Sequence, residues 1–289
     1  MALPGKSATY KGDVTDTDRW SQFQHRPDDI FICTPPKCGT TWTQALVAMI
    51  IFEKADHGEK PGVISPWIDA ELAPLDEYLQ MVEAQTHRRF IKTHTPLDGI
   101  PHYDECEYLV VMRDPRDALF SMMNHRDNLT NEELATGLLS KNGNEINEWI
   151  DEHLDPENFD HQTIETHTLF LKSYWDYRDL PNVHLLHYYD MKQDLRGHIA
   201  KLADILGISL SDQQLDEMTE AGTFENMQKK GEQYAPASGT GIWKQEKSFF
   251  ATGENSQWRE NMTDEQLKRL EARVNEQLNE EQKAWLFRS

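Results

Sequence analysis

Glycine is scarce where a nucleotide-binding loop would need it. Residues 31–50, FICTPPKCGTTWTQALVAMI, run from an apolar stretch through a Pro-Pro turn into a helical apolar pattern, with Gly39 as the one glycine between them. A Walker loop, GxxxxGK[ST], uses its glycines to wrap backbone N–H groups around phosphates, its lysine to neutralise them and its hydroxyl to hold magnesium. Here Lys37 precedes the glycine by two, and no strong candidate for a magnesium-holding aspartate ends an apolar strand. Magnesium-dependent NTP hydrolysis is disfavoured. Basic residues are also few: 29 Lys and Arg stand against 50 Asp and Glu, for a net charge of −21. A general basic surface for nucleic acid is therefore disfavoured, and an anionic ligand would need a locally positive pocket. Excess acid of this kind reads first as solubility or a salty habitat.

Cysteine is rare as well. Cys33, Cys38 and Cys106 leave one unpaired, and none has a CxxC or Cys/His metal spacing, so reduced thiols and no metal site are expected. Within the loop, Cys38 reads as a small filler rather than a nucleophile. The longest apolar run, residues 45–52, is too short to span a bilayer. The opening MALPGKSATYKGDV has no apolar signal region. The expectation is a soluble cytoplasmic protein with no membrane span, and its 38% hydrophobic and 10% aromatic content is enough for a sizeable core.

Four apolar runs have strand character: IFIC (30–33), RFIK (89–92), YLVVM (108–112) and VHLLHY (183–188). They are continuously apolar rather than alternating, as parallel strands covered on both faces are. Helical patterns fall at 41–53, 115–124, 163–178 and 194–206, the first with Trp42, Ala45, Leu46, Met49 and Ile50 on one stripe. This alternation predicts an α/β fold, an open parallel sheet flanked by helices, in a single domain over residues 1–289. Ligands of such sheets bind at the carboxyl ends of the strands. A polar, acidic stretch at about 128–160 reads as an inserted lid. Near the end, Thr263 and Gln266 make a capping box ahead of Leu267, Leu270, Val274 and Leu278, an amphipathic helix docked on the core.

The helix after Gly39 offers unpaired N–H groups and its positive dipole end to an anion, and Thr40 and Thr41 can cap it. Taken alone, the segment stands evenly between an anion site and an ordinary strand-to-helix turn. A second strand end repeats the layout. Arg113 closes YLVVM, Asp114 can cap, Pro115 suits a first helical turn and Ser121 lies roughly two turns on. A guanidinium and a hydroxyl so placed could share one phosphate. Arg116 and Asp117 read as surface or interhelix charges.

TPPKCGTTW (34–42) resembles the 5′-phosphosulfate loop of the cytosolic-type sulfotransferases, and the chain looks like a bacterial-like member of that family. Arg113 with Ser121 resembles the family's 3′-phosphate motif, and IKTHTP (91–96) its segment with the catalytic histidine. LLHYYDMKQDL (185–195) and AGTFENM (221–227) resemble two further donor segments. The matches keep family order from about residue 28 to 262. The resemblance implies a P-loop NTPase-like fold and 3′-phosphoadenosine 5′-phosphosulfate (PAPS) as co-substrate, with no metal. It places Lys37, Cys38, Gly39, Thr40 and Thr41 around the phosphosulfate and Trp42 against the adenine. Arg113 and Ser121 fall at the 3′-phosphate, with Tyr188, Thr223, Phe224 and Gly253 completing the donor site. His94 would be the general base, Lys37 would assist the leaving phosphate, and Lys92 would stabilise the sulfuryl oxygens.

One departure stands out. Where the family has Arg-Lys-Gly, FFATGENSQWRENMT aligned on Trp258 gives Ala251, Thr252 and Gly253. Each missing charge-assisted hydrogen bond is worth roughly 1.5–3 kcal/mol. Lys244, Lys247, Arg259 or backbone amides near Gly253 are the compensators the sequence offers. The acceptor is expected to be a small-molecule hydroxyl, an apolar alcohol or phenol, shaped by the aromatics around Trp67 and by Phe23. Partners are limited to that acceptor and, as an open option, a homodimer. The competing reading is a non-catalytic nucleotide-binding protein with a degenerate donor site.

Overall fold

The sheet consists of four parallel strands in the order β2-β1-β3-β4. The strands are β1 (Ile30–Cys33), β2 (Phe90–Thr93), β3 (Glu107–Met112) and β4 (Val183–His187). The structure, a computed structural model, describes residue 3, residues 5–251 and residues 253–288. Side chains alternate between two cores, as a period-2 strand requires. Phe31 and Cys33 face one core with Tyr108, Val110 and Met112. Ile30 and Ile32 face the other with Leu109 and Val111. Both faces are thus covered, which explains why the strands read as unbroken apolar runs.

Helix α1 (Thr40–Ile51) follows β1 and is buried at every position from Thr43 to Ile50. It is sunk on nearly all sides, where the sequence suggested a single stripe. Helix α2 (Pro115–Asn128) follows β3, capped by Asp114 with Pro115 in its first turn, and runs four residues past the expected end. Tyr188 opens a short helix, α3 (Tyr188–Gln193), instead of ending a strand. The acidic stretch from 128 to 160 folds as helices Glu132–Leu138 and Glu145–Asp151 and a turn at Pro156–Asn158. Its Trp149 and Ile150 are in the main core. The capping box of Thr263 and Gln266 starts helix Asp264–Asn275, whose Leu270 and Val274 join the same core with Leu278.

Strand order places β1 between β2 and β3, so the chain leaves β1 for one side and returns to the other. That reversal opens a crevice at the carboxyl ends. All four strand ends deliver a chemically distinctive residue there: Lys37 after β1, His94 after β2, Arg113 after β3 and Tyr188 after β4.

Candidate active site

These four residues line one cavity of about 510 Å³. Gly39, Thr40, Thr41, Trp42, Lys92, Ser121, Thr223, Phe224 and Gly253 line it too. Cys38 does not. Its side chain is buried beneath the loop with Sγ 3.9 Å from His167 Nδ1, and burial pushes its thiol up to about 12. A thiol so protonated is a filler, not a nucleophile.

The loop conformation is set by its backbone. Gly39 is the N-cap of α1 with φ 102, and a Cβ there would meet the Tyr188 ring at 2.9 Å. Neither threonine caps the helix, contrary to the sequence expectation: both lie within its first turn. Thr40 Oγ1 instead sits 2.5 Å from Thr34 Oγ1. The first-turn N–H groups of α1 therefore have no side-chain cap, which leaves an anion-binding end facing the cavity. Lys37 itself is left-handed, with φ 64. For a non-glycine residue that conformation costs roughly 1–3 kcal/mol.

Lys37 Nζ lies 3.2 Å from His125 Nδ1 and 4.5 Å from the Phe249 ring centre. Burial first, then Arg113 and Lys92, lower its pKa to about 7. Burial likewise lowers Lys92 to about 8, opposed by Asp69, while its ammonium rests over the Trp67 ring. Among the described residues neither lysine makes an ion pair with a carboxylate. Arg113 Nε is buried with no partner among those residues. Its Nη2 donates to the Glu254 carbonyl at 3.0 Å, and its guanidinium lies 4.5 Å from the Tyr188 ring centre. Cations that line a cavity without paired acids suit an anionic ligand, because the ligand supplies the missing counter-charge.

His94 is held from behind. Nδ1 lies 2.7 Å from the Thr34 carbonyl, an acceptor only, so Nδ1 carries the proton and the Nε2 lone pair is left for the cavity. Thr93 and Thr95, on either side, each donate to Asp69 Oδ2 at 2.7 Å, which fixes the backbone around the imidazole. Burial, then Lys92, push the His94 pKa down to about 3, so the ring is neutral at physiological pH. His125 is likewise held well below the usual range by burial and by Lys37, Lys92 and His94. Nothing in its sequence surroundings marked it; its place depends on α2 crossing the loop 88 residues away.

The donor-side wall is built from Trp42, whose Nε1 donates to the Gly222 carbonyl at 2.8 Å, and from Tyr188, edge-on to it at 5.2 Å. Thr223 caps helix Phe224–Lys229. Gly253 has φ 64, and a Cβ there would be 2.6 Å from the Phe224 ring. Gly253→Val is expected to cost at least the roughly 1–3 kcal/mol of the strained backbone, lowering the melting temperature of a chain this long by roughly 2–5 °C or more. A calorimetric scan checks this, and an unchanged melting temperature would contradict the close packing.

Phe23 and the expected compensating cations are also off the cavity wall. Phe23 is a core residue, packed edge-on against Trp20 at 5.4 Å and absent from the cavity wall. Of the offered compensating cations, Lys244 donates to the Asp127 carbonyl and Arg259 lies over Trp258, both away from the cavity. Lys247 lines, with Lys229, an adjoining surface groove that shares Asn124, Phe250 and Ala251 with the cavity. Ala251 does line the cavity, whereas Thr252 lies outside the described residues. Among the described residues no group of three or more His, Cys, Asp or Glu is placed to hold a metal ion. No helix there is long and apolar enough to cross a membrane.

Known proteins resemble this chain in sequence and in fold. A glycolipid sulfotransferase of Mycobacterium bovis is 32% identical, aligning over 96% of this chain and 93% of its own length. A solved retinol dehydratase in complex with retinol and PAP is 25% identical, with a TM-score of 0.70 over 89% of this chain and 83% of that one. A mouse sulfotransferase has a TM-score of 0.72 at 19% identity, covering 93% of this chain and 91% of its own, and supports the fold alone. The family described as "Sulfotransferase domain" matches residues 27–282, so the chain belongs to the sulfotransferases.

Proposed function

We propose that this sulfotransferase moves a sulfuryl group from PAPS to the hydroxyl of an apolar small molecule, with His94 as general base. The observation that carries the reading is the meeting, in one cavity, of a neutral imidazole held by the Thr34 carbonyl and two half-buried lysines that make no ion pair with an acid among the described residues. His94 Nε2 takes the proton of the acceptor hydroxyl as its oxygen bonds to sulfur. The bond from sulfur to the 5′-phosphate oxygen breaks, and the electron pair leaves with 3′-phosphoadenosine 5′-phosphate (PAP). Lys37 faces the departing phosphate and Lys92 the sulfuryl oxygens. The α1 N–H groups with Thr40 and Thr41 surround the 5′ end. Trp42, Tyr188, Thr223, Phe224 and Gly253 enclose the adenosine, and Arg113 with Ser121 takes the 3′-phosphate.

Beyond His94 the cavity is walled by Trp67, Leu72, Leu134, Leu138, Phe159 and Trp243. That surface favours an apolar body carrying one reactive hydroxyl. Relatives named for glycolipid sulfation and for retinol support such an acceptor class. Leu134 and Leu138 come from the acidic insertion, which on this reading is the acceptor-side cover. Mass spectrometry on PAPS with a panel of sterols, phenols, long-chain alcohols and sugars tests the assignment. The expected product is an apolar alcohol or phenol heavier by one SO3; sulfation of free sugars alone would overturn the acceptor class.

Donor binding should also take up a proton. With its pKa at about 7 in the empty cavity, Lys37 is largely neutral above that pH. An anion beside it favours the charged form and raises the pKa, so a proton is drawn from solution. Calorimetry of PAP binding at mildly alkaline pH, in two buffers of different ionisation enthalpy, reads this directly. Proton uptake is expected in the wild type, smaller in Lys37→Met by up to one proton, with Lys92, at about 8, supplying any remainder. No buffer dependence would contradict it.

A further inference from the structure

Near residue 252 the chain lacks the two cations that its family resemblance leads one to expect, yet a cation reaches that turn from another element. Lys192 lies one helical turn beyond Tyr188 on α3, so both project from one face of that helix. Its Nζ donates to the Gly253 carbonyl at 2.5 Å. Arg113 Nη2 donates to the carbonyl of the next residue, Glu254. Cα atoms of adjacent residues are ~3.8 Å apart, so two cations grip neighbouring peptide groups at one edge of the cavity. Lys192 lines that cavity, and among the described residues Lys37 and Lys92 are the other lysines that do. The acids nearest in sequence are engaged elsewhere: Asp190 pairs with Arg288, and Asp194 caps helix Leu195–Ile205.

We propose that Lys192 is the cation that binds the donor's 3′-phosphate, with Arg113 and Ser121, in place of the charges absent at Ala251 and Thr252. An ammonium has three donors. Lys192 can therefore keep the Gly253 carbonyl and still give a hydrogen bond to a phosphate oxygen. The turn and the phosphate are then held by the same side chain. This inference rests on the PAPS reading of the cavity.

The test compares PAP with adenosine 5′-phosphate, which lacks the 3′-phosphate, by calorimetry on the wild type, Lys192→Met and Lys192→Arg. The wild type should prefer PAP. Lys192→Met should lose roughly ten- to hundredfold in PAP affinity while binding adenosine 5′-phosphate as before, and Lys192→Arg should recover most of the loss. An equal fall for both nucleotides would overturn the proposal, because Lys192 would then merely support the turn. Unchanged PAP affinity in Lys192→Met would overturn it as well. A wild type that binds both nucleotides equally defeats the Lys192 assignment alone, whereas one that binds neither defeats the PAPS reading and this proposal together.

Discussion

His94→Ala should lower kcat by roughly 10²–10⁴-fold, the usual contribution of a positioned general base, while PAP affinity stays nearly unchanged. The imidazole is fixed by the Thr34 carbonyl and by the Thr93 and Thr95 bonds to Asp69, all behind the ring. Removing the side chain leaves the α1 N-terminus and Lys37 in place. Steady-state kinetics beside calorimetry separates the two effects. His94→Asn has similar breadth but no basic nitrogen, and should be equally slow. Near-normal turnover in either variant would remove His94 from the chemistry, and a parallel collapse of PAP binding would make it a structural residue.

Lys37→Met should reduce both donor affinity and turnover, with kcat/KM lower by roughly 10²–10³-fold, the scale on which one positioned charge stabilises a transition state. Methionine fills similar space but carries no charge. The loss should fall mainly on kcat, because negative charge grows on the departing phosphate as the bond to sulfur breaks. Stability should change less, since among the described residues the ammonium has no carboxylate partner to orphan and it already lies well below its usual pKa. A variant with weaker donor binding but normal kcat would reassign Lys37 to ground-state binding only.

Much of this site was legible because its residues sit at strand ends, where hydropathy and motif coincide. The strand IFIC was placed to the residue, and RFIK shifted by one because Thr93 completes the ladder opposite Cys33. Where sequence reasoning fell short, tertiary partners decided. Helix α2 continues through polar Arg126 and Asn128 because Arg126 bonds the Ser140 carbonyl and Glu145, and Asn128 bonds the Gln245 carbonyl. Phe23 looked like an acceptor aromatic, but Trp20 and Phe31 claim it for the core. His125 gave no local signal, since it acts on a loop far away in the chain; Lys192 falls inside the donor-like segment 185–195, but its partner, the Gly253 carbonyl, lies 61 residues on. Thr40 and Thr41 looked like caps, but a left-handed Gly39 took that position and left the helix end open to an anion.

The most direct measurement follows PAP release and sulfated product together, in wild type and His94→Ala, with PAPS and the whole panel of sterols, phenols and long-chain alcohols. The account predicts one PAP per sulfated acceptor in the wild type, and neither product at a comparable rate in the variant despite bound donor. PAPS bound without either product in the wild type would mark a non-catalytic nucleotide-binding protein. PAP released without sulfated acceptor would mark a hydrolase. Either result would contradict transfer to a hydroxyl activated by His94.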